Sequence, residues 1–144
     1  MSTLRFTVYG NAEPAGSKTA GRSKKGGLFV RDSNPNAAEW KRQIAQAAGQ
    51  AVHDDELLEG GLNLTLHFYR PRPKSHYNTK GELNALGRRM KAPITKPDTL
   101  KLARAVEDAM TGIVYRDDAQ IVVETLVKSY GEPARVVVSI GRLG

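Results

Sequence analysis

Three aspartates offer this sequence its most direct chemistry: Asp98, Asp117 and Asp118. Carboxylate oxygens are the hard ligands that Mg²⁺ takes, with water and phosphate oxygens completing its octahedron. An ion held this way activates a water and neutralises the charge on a phosphate during displacement. Each aspartate also has a plain structural use. Asp98 follows Pro97 at the head of a helix-forming stretch, where aspartate is a good cap. Asp117 and Asp118 precede a strand, where acidic residues commonly make turns. Whether Asp98 meets the other two depends on where that strand begins beneath the helix, and spacing alone leaves this open.

The strand itself is expected from about Gln120 to Tyr130. On a two-residue period Ile121, Val123, Thr125 and Val127 face one way. Asp118, Gln120, Val122, Glu124, Leu126 and Lys128 face the other, a mixture that would suit a nuclease groove and equally a solvated sheet face. Other constellations are weaker. Gly10 to Lys18 has Gly-Ser-Lys where a phosphate-binding loop needs Gly-Lys-Ser or Gly-Lys-Thr, with the wrong spacing and no helix directly after it. His53, His67 and His76 lack metal-ligand spacing, and His67 is expected on the wet face of its strand.

The net charge is +7, and its position matters more than its size. From Arg70 to Lys96 eight basic residues stand against Glu82 alone, which equals the whole chain's excess. Lys18, Arg22, Lys24, Lys25 and Arg31 form a second cluster with no acid before Asp32. Concentrated positive charge is the footprint of a polyanion binder. The candidate DNA contacts are therefore Lys18, Arg22, Lys24 and Lys25, then Arg70, Arg72, Lys74, Arg88 and Arg89, with Lys101 and Lys128 beside the aspartates. The alternative is two solvated, flexible loops.

The elements that must position these groups follow from periodicity. Leu4, Phe6 and Val8 alternate with polar residues as a half-buried strand. Gly10 to Gly27 reads as a loop, and Leu28 to Arg31 as a brief strand. A helix starts at Ser33 or Asn34 with Pro35 in its first turn, and runs through Ala37, Trp40, Ile44, Ala47 and Ala51 to fade near Val52. Leu62, Leu64, Leu66 and Phe68 mark the next strand. The segment from Arg70 to Pro97 carries four prolines; a loop this long is usually functional or disordered. It is expected to be mobile without DNA, with a helical turn near Glu82–Arg89. A second helix runs from about Asp98 to Thr111, and strands near Gln120–Tyr130 and Ala134–Ile140 finish the chain. The order β-α-β-α-β-β predicts one α+β domain over residues 1–144, a mixed four-stranded sheet with two main helices on one face. The chain has no cysteine, so disulfides and thiolate metal sites are excluded. No signal peptide is expected from the first ten residues, and no run reaches the roughly 20 apolar residues of a membrane span.

The stretch Lys96 to Gln120, KPDTLKLARAVEDAMTGIVYRDDAQ, resembles the signature of the RusA family of Holliday-junction resolvases. Lys96-Pro97-Asp98 opens the motif, Lys101-Leu102 and Arg104 continue it, and Asp108-Ala109-Met110 closes the helix. Asp117-Asp118-Ala119-Gln120 supplies the end. Gly10, Pro14, Gly16-Ser17-Lys18, Arg31-Asp32-Ser33 and Trp40 are similar to phage-borne members. The resemblance implies a homodimer with two active sites, each binding Mg²⁺ or Mn²⁺, cutting opposed strands of a four-way junction in DNA recombination and repair. It carries Asp98 and Asp118 over as metal ligands, Asp117 as their neighbour, and Arg104 in place of a catalytic lysine. It further implies the cytoplasm, that of the host if the chain is phage-encoded.

Position 100, where the family's second aspartate falls, is Leu100. At about 100° per residue, Leu102, Ala103, Val106, Ala109 and Met110 form the helix's buried arc, and Leu100 lies outside it near Arg104 and Glu107. Either Glu107, Asp108 or Glu124 replaces the missing carboxylate, or activity is reduced or lost. Two further functions compete with the resolvase: a catalytically impaired junction-binding protein of the same fold, and a basic nucleic-acid-binding accessory protein.

Overall fold

The computed structural model describes residues 3–15, 18–22, 28–32, 36–53 and 56–144, with the backbone alone for 18–22 and 28–32. The elements in chain order are β1 (Thr3–Tyr9), β2 (Lys18–Arg22), β3 (Leu28–Asp32), α1 (Ala37–Ala51), β4 (Leu62–Arg70), α2 (Ala85–Arg89), α3 (Thr99–Met110), β5 (Ile121–Tyr130) and β6 (Arg135–Arg142). The main sheet has the order β1-β6-β4-β5. Only β4 and β5 are parallel; β1 with β6 and β6 with β4 are antiparallel. Parallel neighbours need a crossover, and α3 provides it.

The alternating apolar residues face the helices. Leu62, Leu64, Leu66 and Phe68 of β4, with Val136, Val138 and Ile140 of β6, are fully buried. Against them pack Trp40, Ile44 and Ala48 of α1 and Leu102, Val106 and Met110 of α3. Gly10 stands against the Trp40 ring at φ +138°, a backbone conformation that a side chain rarely adopts. The opposite face of β4 carries Thr65, His67 and Tyr69. As expected, His67 lies on the side away from the helices. It stacks on Tyr69 and bonds Ser129 Oγ at 2.9 Å. Burial and the nearby Arg135 lower its pKa.

One expectation is corrected. The stretch Gly10–Gly27 holds a strand, Lys18–Arg22, which pairs with Leu28–Asp32 as a separate antiparallel hairpin. Its residues KTAGR lack apolar alternation, so backbone pairing alone defines it. Lys24, Lys25, Gly16, Ser17, Ser33, Asn34 and Pro35 lie outside the described residues; the described cap of α1 is Asn36.

The basic segment 70–97 carries the helical turn expected near Glu82–Arg89, as the short helix α2. A 3-10 turn at Lys74–His76 and the short helix α2 organise it. Asn84 accepts from Gly87 N at 2.8 Å and donates to Ser75 O at 2.7 Å. A Cβ on Gly87 would fall onto the His76 carbonyl, so α2 seats against the turn only with glycine there.

Candidate functional site

Asp98 is the N-cap of α3, its Oδ1 accepting from Lys101 N at 2.8 Å. The loop just before it is tied to the far end of β5: Lys128 Nζ donates to Thr95 O at 2.8 Å and Pro97 O at 2.9 Å. Helix and strand therefore run antiparallel, with the head of α3 over the tail of β5. At the other end, Glu107 in the last turn of α3 feels Glu124 and Asp118. With twelve residues at 1.5 Å each, α3 spans about 18 Å. Asp98 and Asp118 are thus held at opposite ends of the helix, and one chain does not bring them together.

The aspartates before β5 form a compact turn. Asp117 caps the 3-10 turn Asp118–Gln120, accepting from Ala119 N at 2.9 Å. Gln120 Oε1 accepts from Asp117 N at 3.0 Å, and its Nε2 donates to Leu58 O at 3.0 Å and Gly60 O at 3.1 Å. Gln120 thereby anchors the turn to the segment leading into β4. Asp118, exposed, precedes the strand; it does not extend the strand's face. A register shift at Leu62/Asn63 breaks the alternation before Val123. From there the expected facing holds. Glu124, Leu126 and Lys128 pair with Leu64, Leu66 and Phe68 and share their helix side.

The carboxyl end of α3 is acidic. Glu107 is pushed up to about 7, first by burial, then by Glu124, Asp118 and Asp108, with Arg104 opposing. Burial raises Glu124 as well. Tyr115, fully buried, donates its hydroxyl to Glu107 O at 2.8 Å, and burial raises its pKa. Asp108 turns toward α1, where Lys41 Nζ lies 3.4 Å from its Oδ2. Of the three substitutes for the missing carboxylate, Glu107 is the one that feels both Glu124 and Asp118, while Asp108 bridges the helices. Leu100 is 68% exposed, off the buried arc as expected; Ala105 joins that arc.

Among the described residues no group of three or more acidic or histidine side chains is placed to hold a metal ion. The donor set nonetheless suits Mg²⁺, which keeps several waters and needs one or two carboxylates. The mutual repulsion around Glu107 is what a divalent cation would relieve. This has a pH consequence. The unfolded carboxyl ionises near 4.5 and the folded one near 7. Between those values the folded state holds the extra proton, so stability falls as pH rises through the window and stays lower above it. Without divalent ions, the melting temperature should decline from about pH 4.5 to 7. Glu107→Gln should flatten that decline, and Mg²⁺ at pH 8 should restore part of it. A wild-type profile no steeper than that of Glu107→Gln would contradict the assignment.

The basic residues divide by role. Arg72 NH1 donates to Gly87 O at 2.7 Å and Met90 O at 2.9 Å, and its guanidinium lies 4.4 Å from the Tyr130 ring centroid. Arg70 NH1 donates to Ala12 O at 2.6 Å. With Lys128, these hold the loops in place. No local sequence signal could have found this, because their acceptors are backbone carbonyls distant along the chain. Lys74, Arg88, Arg89, Lys101 and Arg104 are exposed. Lys18 and Arg22 occupy the two ends of β2.

The α+β fold has the element order expected from the sequence. The chain belongs to the endodeoxyribonuclease RusA family, whose pattern it matches over residues 11–141. It is also 30% identical over 140 residues to YqaN of Bacillus subtilis (strain 168), an uncharacterized protein; the match covers 97% of this chain and 96% of that one.

Proposed function

We propose that this protein is a divalent-metal-dependent endonuclease that resolves Holliday junctions and other branched DNA as a homodimer. The observation that supports the proposal is the half-buried Glu107, which feels the negative charge of both Asp118 and Glu124. Mg²⁺ or Mn²⁺ held there would activate water and offset phosphate charge. Asp118 would be its principal ligand, with Glu107 and Glu124 completing the acidic set and Arg104 facing the developing charge. Exposed Arg88, Arg89, Lys74 and Lys101 would position the DNA backbone. Among the described residues no helix is long and apolar enough to cross a membrane.

Asp98 bears on the dimer. It stands about a helix length from Asp118, so a centre using both needs Asp98 from one copy and Asp118 from the other. Asp98→Asn and Asp118→Asn should each be inactive alone. Mixed and allowed to exchange, they should nick junctions, because one of the two shared centres is then intact. A mixture that exchanges chains and stays inactive would place each centre within one chain.

Leu100 tests the metal occupancy. If the missing carboxylate leaves the ion with more water ligands, Leu100→Asp should lower the Mg²⁺ concentration for half-maximal cleavage several-fold. Its exposure means that the melting temperature should barely move. Strong destabilisation with no change in metal requirement would refute this role for position 100.

A further inference from the structure

At the carboxyl ends of the parallel pair β4 and β5, beside the head of α3, lies a cavity of about 590 Å³. Open α/β sheets commonly take ligands outside the carboxyl ends of parallel strands, and this volume is in the range of small-molecule sites. Its walls are rich in proline. Pro14, Pro71, Pro73, Pro93 and Pro97 line it, five of the chain's seven prolines, and each ring fixes its own φ. Tyr130 forms part of the wall, backed by the Arg72 guanidinium.

The lining is strongly cationic: Arg70, Arg72, Lys96 and Lys128 against Glu13. The bonds already described use part of this capacity. Arg70 gives one nitrogen to Ala12 O, and a guanidinium carries five N–H donors. Lys96 is exposed and makes no hydrogen bond to the described residues. The rim is exposed at Pro71, Pro73, Thr95 and Lys96, so a strand can enter and leave. Apolar rings beside unspent cationic donors match the two halves of a nucleotide, a base with a π-face and a phosphate.

We propose that this cavity receives one unpaired nucleotide of the DNA strand, its phosphate against Lys96 and Arg70 and its base against the proline rings. This rests on DNA being the substrate, and it assigns the protein a preference for unpaired nucleotides next to duplex arms.

Binding measured by fluorescence anisotropy in chelator separates this from the nuclease proposal, because no cleavage is required. The probes are a paired duplex, the same duplex with a three-thymidine single-stranded flap, and that flap built from abasic units. The thymidine flap should bind about 10-fold tighter than the paired duplex, the worth of burying roughly 55 Å² of apolar surface on one base. The abasic flap should lose most of that gain. Lys96→Glu should remove it while paired-duplex affinity changes by at most about threefold, a modest electrostatic effect. Free thymidine monophosphate should compete only weakly. Equal affinity for all three probes, a uniform loss with Lys96→Glu, or tighter binding of the free nucleotide than of the flap would each overturn the proposal.

Discussion

Asp118→Asn is expected to lower metal-dependent cleavage by roughly a thousandfold, about 4 kcal/mol of transition-state stabilisation. It should leave junction binding in chelator within a few-fold. The substitution removes one carboxylate charge from the set that includes Glu107 and Glu124, and keeps the size of the side chain. Asp98→Asn should act in the same direction without unfolding the helix, because asparagine caps as well as aspartate. Asp117→Asn should matter less, since its Oδ1 already serves Ala119 N. Full activity in Asp118→Asn, measured as nicking of a labelled junction, would remove that residue from the metal site.

Arg72→Ala is expected to cost about 3 kcal/mol of stability, the largest effect among the basic residues. Two charge-assisted bonds to backbone carbonyls are lost, together with the stacking over Tyr130. The melting temperature should fall by about 10 °C, and proteases should cut between Arg70 and Pro97 sooner than in the wild type. Arg89→Gln should do the opposite. It should melt like the wild type but reduce the slope of log affinity against log salt by about 0.9 for one lost phosphate contact. Wild-type melting of Arg72→Ala would show that the segment is held by other means.

The six longest elements were legible because each carries strong apolar periodicity. Leu62, Leu64, Leu66 and Phe68 alternate into a strand, and Leu102, Val106 and Met110 recur at helical spacing. The strand β2 was not legible, since Lys18 to Arg22 has no apolar pattern and is defined by its partner. The cap at Asp98 and the turn at Asp117–Asp118 followed from residue type and position, whereas the capping role of Asp117 appears only in the fold. The separation of the two did not follow, because it depends on Lys128 pinning the head of α3 to the tail of β5. Likewise Arg70 and Arg72 look like surface charge in a basic run. Only the folded chain reveals that they bond carbonyls inside it. The position of Leu100 off the buried arc was readable from the helix alone, and its exposure agrees.

Incubation of the protein with a synthetic four-way junction, in Mg²⁺ and in chelator, separates a resolvase from a protein that only binds DNA. Paired nicks on opposed strands are expected in Mg²⁺, none in chelator, with preference for the junction over linear duplex in both. Junction binding without cleavage across Mg²⁺ and Mn²⁺ concentrations would contradict the resolvase reading in favour of an impaired junction-binding protein. Equal binding of junction and duplex without cleavage would leave only a basic nucleic-acid-binding protein.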